Sequence, residues 1–334
     1  MLAQVDAASW TSDYPLVAIC AGFALLLGGA NVLVRGAVWI ALVLGVSPMT
    51  VGLTLVAFGT SLPELLVSLT SAWKGSSDIA MANVVGSNAM NVLLIVGTAA
   101  VIRPIHVVVD RLELVYMLLA TALLVPPFAL GVVDRPIAAV MFALVVAFCW
   151  QLLRRERRAQ RLRRETSAPD LAVDPSRVRG TPTGWLVHVL LLFVGFALLK
   201  YGADWLIDGS VTAARGLGIS DALIGMTIVA GGTSLPELAT SAIAARKGHS
   251  EIAIGNVLGS NIFNVGCVLG VCGLVHPLEA SAALLPLLAL AVGSAIWLAL
   301  VLRVRFGTGR VTGALFLLAW AGFVVWQAWR EGAF

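Results

Sequence analysis

The chain has 334 residues, of which 59% are hydrophobic and only 12% are charged, with a formal net charge of +4. Soluble globular domains carry about 25% charged residues, so a chain this apolar could not cover its surface with water-compatible side chains. The composition therefore excludes a soluble domain. Because helices satisfy their own backbone groups in lipid, it predicts an all-α polytopic membrane protein.

Apolar runs of roughly 20 residues, the length of helix that crosses the hydrocarbon core of a bilayer, recur along the chain. We predict ten transmembrane helices, over residues 15–34, 48–72, 79–101, 112–130, 136–153, 184–207, 221–245, 252–275, 281–302 and 310–330. The residues before the first run contain no Lys or Arg, so they do not resemble a cleaved signal peptide.

The positive charge is concentrated in one segment, RRERRAQRLRRE at residues 154–165, between the fifth and sixth predicted spans. In so hydrophobic a chain, this segment is more typical of a cytoplasmic loop than of a nucleic-acid-binding surface. It could also touch anionic lipid headgroups, but its role as an orientation signal is enough to explain it. The loops on its side of the membrane contain 17 Lys and Arg, against four on the opposite side. We therefore predict that both termini lie outside the cytoplasm, in a plasma membrane such as a bacterial inner membrane.

The chain consists of two copies of one unit. A shift of 173 residues places residues 51–97 on 224–270, with 26 of 47 positions identical. Each copy contains five predicted spans, and since five is odd, the second copy enters the membrane from the opposite side. We therefore predict two inverted five-helix repeats, a plan of many secondary transporters with the site at the midplane. The repeats cover 1–165 and 183–334, joined by a polar cytoplasmic linker at 166–182.

Each copy contains the string Gly-Thr-Ser-Leu-Pro-Glu inside an apolar span, beginning at Gly59 and at Gly232. Its proline lacks an amide donor and should bend or break the helix. Broken backbone at membrane depth is tolerated only where it is buried in protein or lines a cavity. We expect the break to free backbone carbonyls as ligands, with those of Ala57 and Ala230 as candidates.

The third and eighth spans carry a second repeated motif, GSNAMN and GSNIFN. Its serine and its last asparagine are four residues apart, so they share one face of a helix. If the two halves face each other, these side chains converge with those of the first motif. The predicted set adds to the two carbonyls the side chains of Thr60, Ser61, Glu64, Ser87, Asn91, Thr233, Ser234, Glu237, Ser260 and Asn264.

Every group in this set is an oxygen donor, which suits hard cations and not zinc or copper. Two carboxylates in a low-dielectric site repel each other, and a divalent cation neutralises both. Calcium accepts an irregular cage of about 6–8 oxygens, whereas magnesium gives up its water reluctantly. We therefore expect calcium as the divalent substrate, with the hydroxyl and carbonyl sets holding monovalent ions when calcium is absent.

The strings VAFGTSLPEL with NVVGSNAMN, and VAGGTSLPEL with NVLGSNIFN, resemble the two alpha repeats of the calcium/cation antiporter superfamily, in its prokaryotic sodium/calcium exchanger branch. The resemblance covers nearly the whole chain and implies electrogenic exchange of sodium for calcium. It implies Glu64 and Glu237 as central calcium ligands, with Asn91 and Asn264 lining the centre. The hydroxyls and carbonyls would complete the calcium and sodium sites, and the first and sixth spans would be sliding gate helices.

One position departs from the family pattern. Many relatives carry Asp where this chain has Asn264, and some potassium-dependent members rely on that Asp. Asn264 removes a third negative charge, so the sequence leaves potassium co-transport and the sodium stoichiometry open.

Three classes of function remain open at this point, together with a passive channel. The first is a sodium-driven calcium antiporter, and the second is a proton-coupled cation antiporter in which Glu64 or Glu237 carries the proton. The third is an intramembrane enzyme, for which we find no Ser/His, Ser/Lys or paired-Asp arrangement. We expect a transporter without a cofactor or a nucleic-acid partner, acting as a monomeric unit on calcium and sodium in a lipid bilayer.

Overall fold

The computed structural model describes residues 9–166, 181–217, 230–303 and 308–330. Most of the predicted linker and the first nine residues of the predicted span 221–245 lie outside the described residues. The helices, which we number in chain order, are α1 (Ser9–Asp13), α2 (Pro15–Leu44), α3 (Pro48–Thr60), α4 (Leu62–Trp73), α5 (Ser77–Ile102), α6 (Arg111–Leu130), α7 (Arg135–Thr166), α8 (Pro182–Gly216), α9 (Ala230–Gly232), α10 (Leu235–Lys247), α11 (Ser250–Val275), α12 (Ala282–Arg303) and α13 (Arg310–Arg330). Strands β1 (Val132–Val133) and β2 (Leu278–Glu279) form an antiparallel pair.

Eight of these helices are long and apolar enough to cross a membrane, and the bent pair α3 and α4 raises the number to nine among the described residues. The predicted helical membrane fold is therefore confirmed. The remaining predicted span, 221–245, falls on α9 and α10, and the residues just before α9 lie outside the described part of the chain.

The centre of the bundle is formed by α5 and α11, the helices that carry the GSN motifs. Their most apolar windows are 72% and 83% buried, against 17% for α8 and for α13. This difference places the second repeated motif in the interior. The outer helices expose large apolar side chains, as expected for surfaces that face lipid.

The prediction that residues 154–165 form a loop is wrong, because α7 continues as a helix to Thr166. The segment contains neither Gly nor Pro, and Arg, Gln, Ala, Leu and Glu are good helix formers. Contacts with other helices also hold the extension. The Gln160 amide donates to the Leu44 carbonyl at 2.8 Å, and Glu156 accepts from the hydroxyls of Ser47 and Thr50 at 3.0 and 2.5 Å.

Helices α2 and α8 pack antiparallel along most of their length, and glycines form the contact. A methyl group on Gly22 would lie 2.6 Å from the backbone nitrogen of Leu206, and one on Gly29 would lie 2.9 Å from that of Leu199. In the other direction, a methyl on Gly202 would lie 2.8 Å from the nitrogen of Leu26. Small residues at such positions let the two backbones approach closely, as membrane helices require in the absence of a hydrophobic driving force.

Two neighbouring glycines of α2 provide a test of this packing. Gly29→Ala should destabilise the protein by about 1–3 kcal/mol, because the added methyl group overlaps the backbone of α8. Gly28 has no atom of the described residues within 4 Å of such a methyl group, so Gly28→Ala should be neutral or slightly stabilising. Thermal unfolding in detergent measures both, and equal melting temperatures for the two variants would contradict the contact.

Candidate ion-binding site

The first repeated motif breaks its helix in both copies, and the following helix begins at the equivalent leucine, Leu62 or Leu235. Helix α3 ends at Thr60 and α4 begins at Leu62, with a bend of 42° between them. At the break, Ser61 has φ −84° and ψ 5°, and Ser234 has nearly the same values of −90° and 7°. In both copies a proline stands in the first turn of the following helix, where its missing amide costs nothing.

The Ala57 carbonyl lies at this break and accepts a hydrogen bond from the amide of Ser61 at 3.0 Å. The Thr60 hydroxyl, which has a single hydrogen, lies 3.4 Å from this carbonyl and 3.2 Å from Asn256 Oδ1. Because a carbonyl oxygen has two lone pairs, a cation could share it while Thr60 donates to Asn256. The predicted counterpart of Ala57, Ala230, is the first residue of α9. The carbonyl that Pro63 deprives of its helical donor is that of Gly59, four residues earlier.

The two glutamates of the motifs are buried, each with 1% of its surface exposed. Each carboxylate accepts a hydrogen bond from the serine of the other copy. Ser234 donates to Glu64 Oε1 at 3.1 Å, and Ser61 donates to Glu237 Oε1 at 3.3 Å. Neither glutamate forms an ion pair with Lys or Arg within the described ranges, and the second oxygen of each has no hydrogen-bond partner there.

The hydroxyls of the set are distributed around these carboxylates. Ser87 lies 3.1 Å from Ser234, oxygen to oxygen, and the buried Ser260 hydroxyl has no partner among the described residues. Thr60 donates to Asn256 Oδ1 at 3.2 Å, and Thr233 donates to Asn83 Oδ1 at 3.1 Å. The structure therefore brings Ser61, Ser87 and Ser234 together with the glutamates, while Thr60 and Thr233 contact asparagines of the other copy.

Asn83 and Asn256 form hydrogen bonds with the broken helices. The Asn83 amide donates to Ser68 at 2.9 Å and to the Glu64 carbonyl at 3.2 Å. The Asn256 amide donates to Ser241 at 3.0 Å. Since their Oδ1 atoms accept from the threonines, each asparagine contacts residues of both copies.

Four asparagines form a separate cluster where α5 and α11 cross. Asn91 donates to Asn261 Oδ1 at 3.0 Å, and Asn264 donates to Asn88 Oδ1 at 3.1 Å. The amides of Asn88 and Asn261 reach each other's backbone carbonyls at 3.4 Å. The Oδ1 atoms of Asn91 and Asn264 are buried and have no partner in the described part of the chain.

A widened helical turn begins at Asn91 and again at Asn264. Both are π-helical segments, Asn91–Val96 and Asn264–Leu269, and another lies at Gly52–Val56 just before the first break. Single π turns inside α-helices are frequent at functional sites. Here they begin at two predicted ligands.

Most hydrogen bonds in this region occur twice, and the second bond joins the residues that stand at the equivalent positions of the opposite copies, 173 residues away. Ser61 to Glu237 corresponds to Ser234 to Glu64, and Asn91 to Asn261 corresponds to Asn264 to Asn88. The threonine-to-asparagine contacts correspond in the same way. The duplicated sequence thus builds one site with a contribution from each copy.

The buried oxygens without partners define what this site can bind. They belong to side chains of both copies, namely Glu64, Asn91, Thr240, Ser260, Glu237 and Asn264. A buried oxygen without a donor is costly, and a cation at the centre would satisfy several at once. These oxygens come from carboxylate, amide and hydroxyl groups, a mixture that suits a hard cation.

Thr240 is the member of this group that we did not predict from sequence. It lies three residues after Glu237 on α10, fully buried, and the corresponding position in the first copy is Val67. Because valine has no oxygen ligand in its side chain, a comparison of the two copies could not identify Thr240. Its spacing of three residues from Glu237, which places both side chains on one helix face, could have identified it.

The comparisons with known proteins agree with this geometry. The chain matches the family described as sodium/calcium exchanger protein over residues 14–154 and 187–329. It is 36% identical over 311 residues to the putative antiporter CaxA of Alkalimonas amylolytica, covering 91% of this chain and 96% of that one. It is 34% identical over 260 residues to the inner membrane protein YrbG of Escherichia coli, covering 77% and 79%.

A solved structure shares the fold. The sodium-calcium exchanger NCX_Mj, soaked with 2.5 mM Na⁺ and 0.1 mM Ca²⁺, superimposes with a TM-score of 0.76 at 29% sequence identity, covering 93% of this chain and 97% of that one. The duplicated motifs, the buried oxygen site and the family match lead to one conclusion. The chain belongs to the sodium/calcium exchanger family and is a membrane antiporter, not an enzyme.

Proposed function

We propose that the protein exchanges sodium for calcium across the membrane by alternating access, with both ions sharing a site built on Glu64 and Glu237. The observation that carries this proposal is the pair of buried carboxylates, each with an unpartnered oxygen and neither with a basic partner among the described residues. Two such charges require a cation, and a divalent cation neutralises both.

Calcium fits the donors better than other divalent cations. The unpartnered oxygens come from carboxylate, amide and hydroxyl groups, at irregular positions on four different helices. Calcium tolerates such irregular coordination, whereas magnesium requires near-octahedral geometry and retains its water. We assign Glu64 and Glu237 as the central calcium ligands.

Sodium is the proposed counter-ion because the site offers more neutral oxygens than a proton would need. The neutral ligands assigned to the calcium and sodium sites are Thr60, Ser61, Ser87, Asn91, Thr233, Ser234, Ser260 and Asn264, with the carbonyls of Ala57 and Ala230. Sodium ions that use the same carboxylates exclude calcium, and this competition is the basis of exchange. With Asn264 in place of an acid, we propose that potassium is not required.

The symmetric contacts support an architecture of ten transmembrane helices in two inverted repeats, at 1–165 and 183–334, with the linker 166–182 between them. Since each glutamate accepts a hydrogen bond from the serine of the other copy, we infer that the site lies where the repeats meet. We place the basic end of α7 in the cytoplasm and both termini outside it, in a plasma membrane of the bacterial inner-membrane type.

The test is uptake of radioactive calcium into proteoliposomes loaded with sodium and diluted into buffer free of sodium and potassium. We expect uptake that depends on internal sodium and that generates a membrane potential. Matched vesicles with a proton gradient in place of the sodium gradient should show none. Uptake driven only by the proton gradient would replace sodium with protons and make the glutamates proton carriers. A requirement for added potassium would contradict the role given to Asn264.

A further inference from the structure

A groove with basic and apolar walls lies away from the ion site, between α2, α8 and the segment that joins α10 to α11. Its volume is about 440 Å³. The apolar wall includes Val38, Trp39 and Leu42 of α2 and Leu191 of α8, and the basic residues are Arg35 and Lys247. The mechanism of exchange uses none of these side chains.

The charge of the groove is positive and unbalanced. Arg35 and Lys247 are both exposed, and no Asp or Glu lines the groove within the described ranges. Lys247 donates to the Asn31 carbonyl at 3.4 Å, and Arg35 has no acidic partner in the described part of the chain. Burial and the nearby Lys247 ammonium lower the pKa of His249, which also lines the groove. An anion placed here would relieve this repulsion.

The apolar wall identifies which kind of anion fits. Trp39 stacks on His188 with ring centroids 4.0 Å apart, which gives a broad flat surface beside the basic groups. The adjacent face of α8 exposes Leu186, Val187 and Leu190, as a lipid-facing surface would. A free phosphate would gain nothing from such a wall, whereas a phospholipid can pair its phosphate with the cations and pack its acyl chain on the apolar side chains.

We propose that an anionic phospholipid binds in this groove, with its phosphate at Arg35 and Lys247 and an acyl chain along Val38, Trp39 and Leu42. Basic pockets between membrane helices are known to bind anionic headgroups. The lipid would connect α2 to the end of α10, which carries Glu237 at its other end. The proposal does not depend on which ions are exchanged.

The experiment is native mass spectrometry of the detergent-solubilised protein with added phosphatidylglycerol or phosphatidylcholine. The wild type should retain phosphatidylglycerol in preference to phosphatidylcholine. The double variant Arg35→Gln with Lys247→Gln should bind it about thirtyfold more weakly, the effect of losing two basic residues that face an anionic headgroup. The matched control, Arg303→Gln with Arg310→Gln, removes two exposed cations elsewhere and should bind as the wild type does.

A second readout locates the lipid and guards against misfolding of the double variant. Phosphatidylglycerol with brominated acyl chains should quench part of the tryptophan fluorescence, and Trp39→Phe should remove that part. The charge-conserving variant Arg35→Lys with Lys247→Arg should retain both binding and quenching. The proposal would be overturned if the control double variant bound phosphatidylglycerol as weakly as the Arg35/Lys247 variant, or if the wild type retained phosphatidylcholine equally well. It would also be overturned if inorganic phosphate displaced the lipid, or if quenching were unchanged in Trp39→Phe. Since no transport is measured, failure here leaves the proposed exchange untouched.

Discussion

Replacement of Glu237 by glutamine is expected to abolish calcium transport, and Glu64→Gln is expected to do the same. Each substitution removes one of the two buried charges that the proposed site offers to a divalent ion, while its shape and the hydrogen bond from serine are retained. Loss of a residue that only supports a metal ligand costs about 10–100-fold in affinity, so loss of a charged ligand should cost at least that much. Calcium uptake into sodium-loaded proteoliposomes measures the effect.

Stability measurements separate this loss of function from a loss of structure. Without calcium, either variant should melt no lower than the wild type, because a buried charge without a basic partner has been removed. Calcium should raise the melting temperature of the wild type, as a ligand of the folded state does, and should leave both variants unchanged. Glu251→Gln, at the exposed start of α11, is the matched control and should behave as the wild type. Full transport by either Glu64→Gln or Glu237→Gln would refute the assignment of the site.

Gly259→Ala is expected to have the second largest effect, although the position carries no ligand. A methyl group there would lie 2.5 Å from the Leu53 carbonyl oxygen and 2.6 Å from the Ala57 side chain. Helix α11 would have to move away from α3. Gly255 makes a second close contact between the same helices, because a methyl group there would lie 2.7 Å from the Met49 carbonyl oxygen. We expect a loss of about 1–3 kcal/mol of stability.

Transport should fall further than the amount of folded protein in this variant. The displaced interface contains the bond from Thr60 to Asn256 and the Ser260 hydroxyl, so the ligands of the two copies would no longer converge. Calcium uptake per folded molecule, with folded protein measured by size-exclusion chromatography, gives the comparison. Gly293→Ala in α12 is the control, since no atom of the described residues lies within 4 Å of the new methyl group. Wild-type uptake by Gly259→Ala would show that the close approach of α3 and α11 is not needed.

The duplication made most of the candidate site predictable from sequence. Glu64 and Glu237 could be identified because a carboxylate is energetically costly inside an apolar span, and its occurrence at the same position of both copies is not explained by chance. The serines and the last asparagines of the second motif followed from helical spacing. Nine of the ten predicted spans follow the helices of the structure because apolar length alone defines them.

Partners across the two copies could not be read from either copy alone. Nothing in the string GTSLPE indicates that Ser61 donates its hydrogen bond to Glu237 and not to Glu64, which lies only three residues after Ser61. Similarly, the role of Asn83 depends on Ser68 and Thr233, which come from different parts of the chain. The helical extension of α7 was missed because a dense positive charge suggested a loop, whereas Glu156 and Gln160 bind the ends of α2 and α3.

The glycine contact between α2 and α8 constrains how the protein can open. Gly22, Gly29 and Gly202 bring the backbones of α2 and α8 so close that there is no room for a methyl group, so a shift of one helix along the other would carry larger side chains into these contacts. If these are the moving helices, they must travel as one rigid body. Closing the path to one side of the membrane and opening the path to the other are then a single mechanical event. A state open to both sides, which would dissipate the ion gradients, would require the pair to separate.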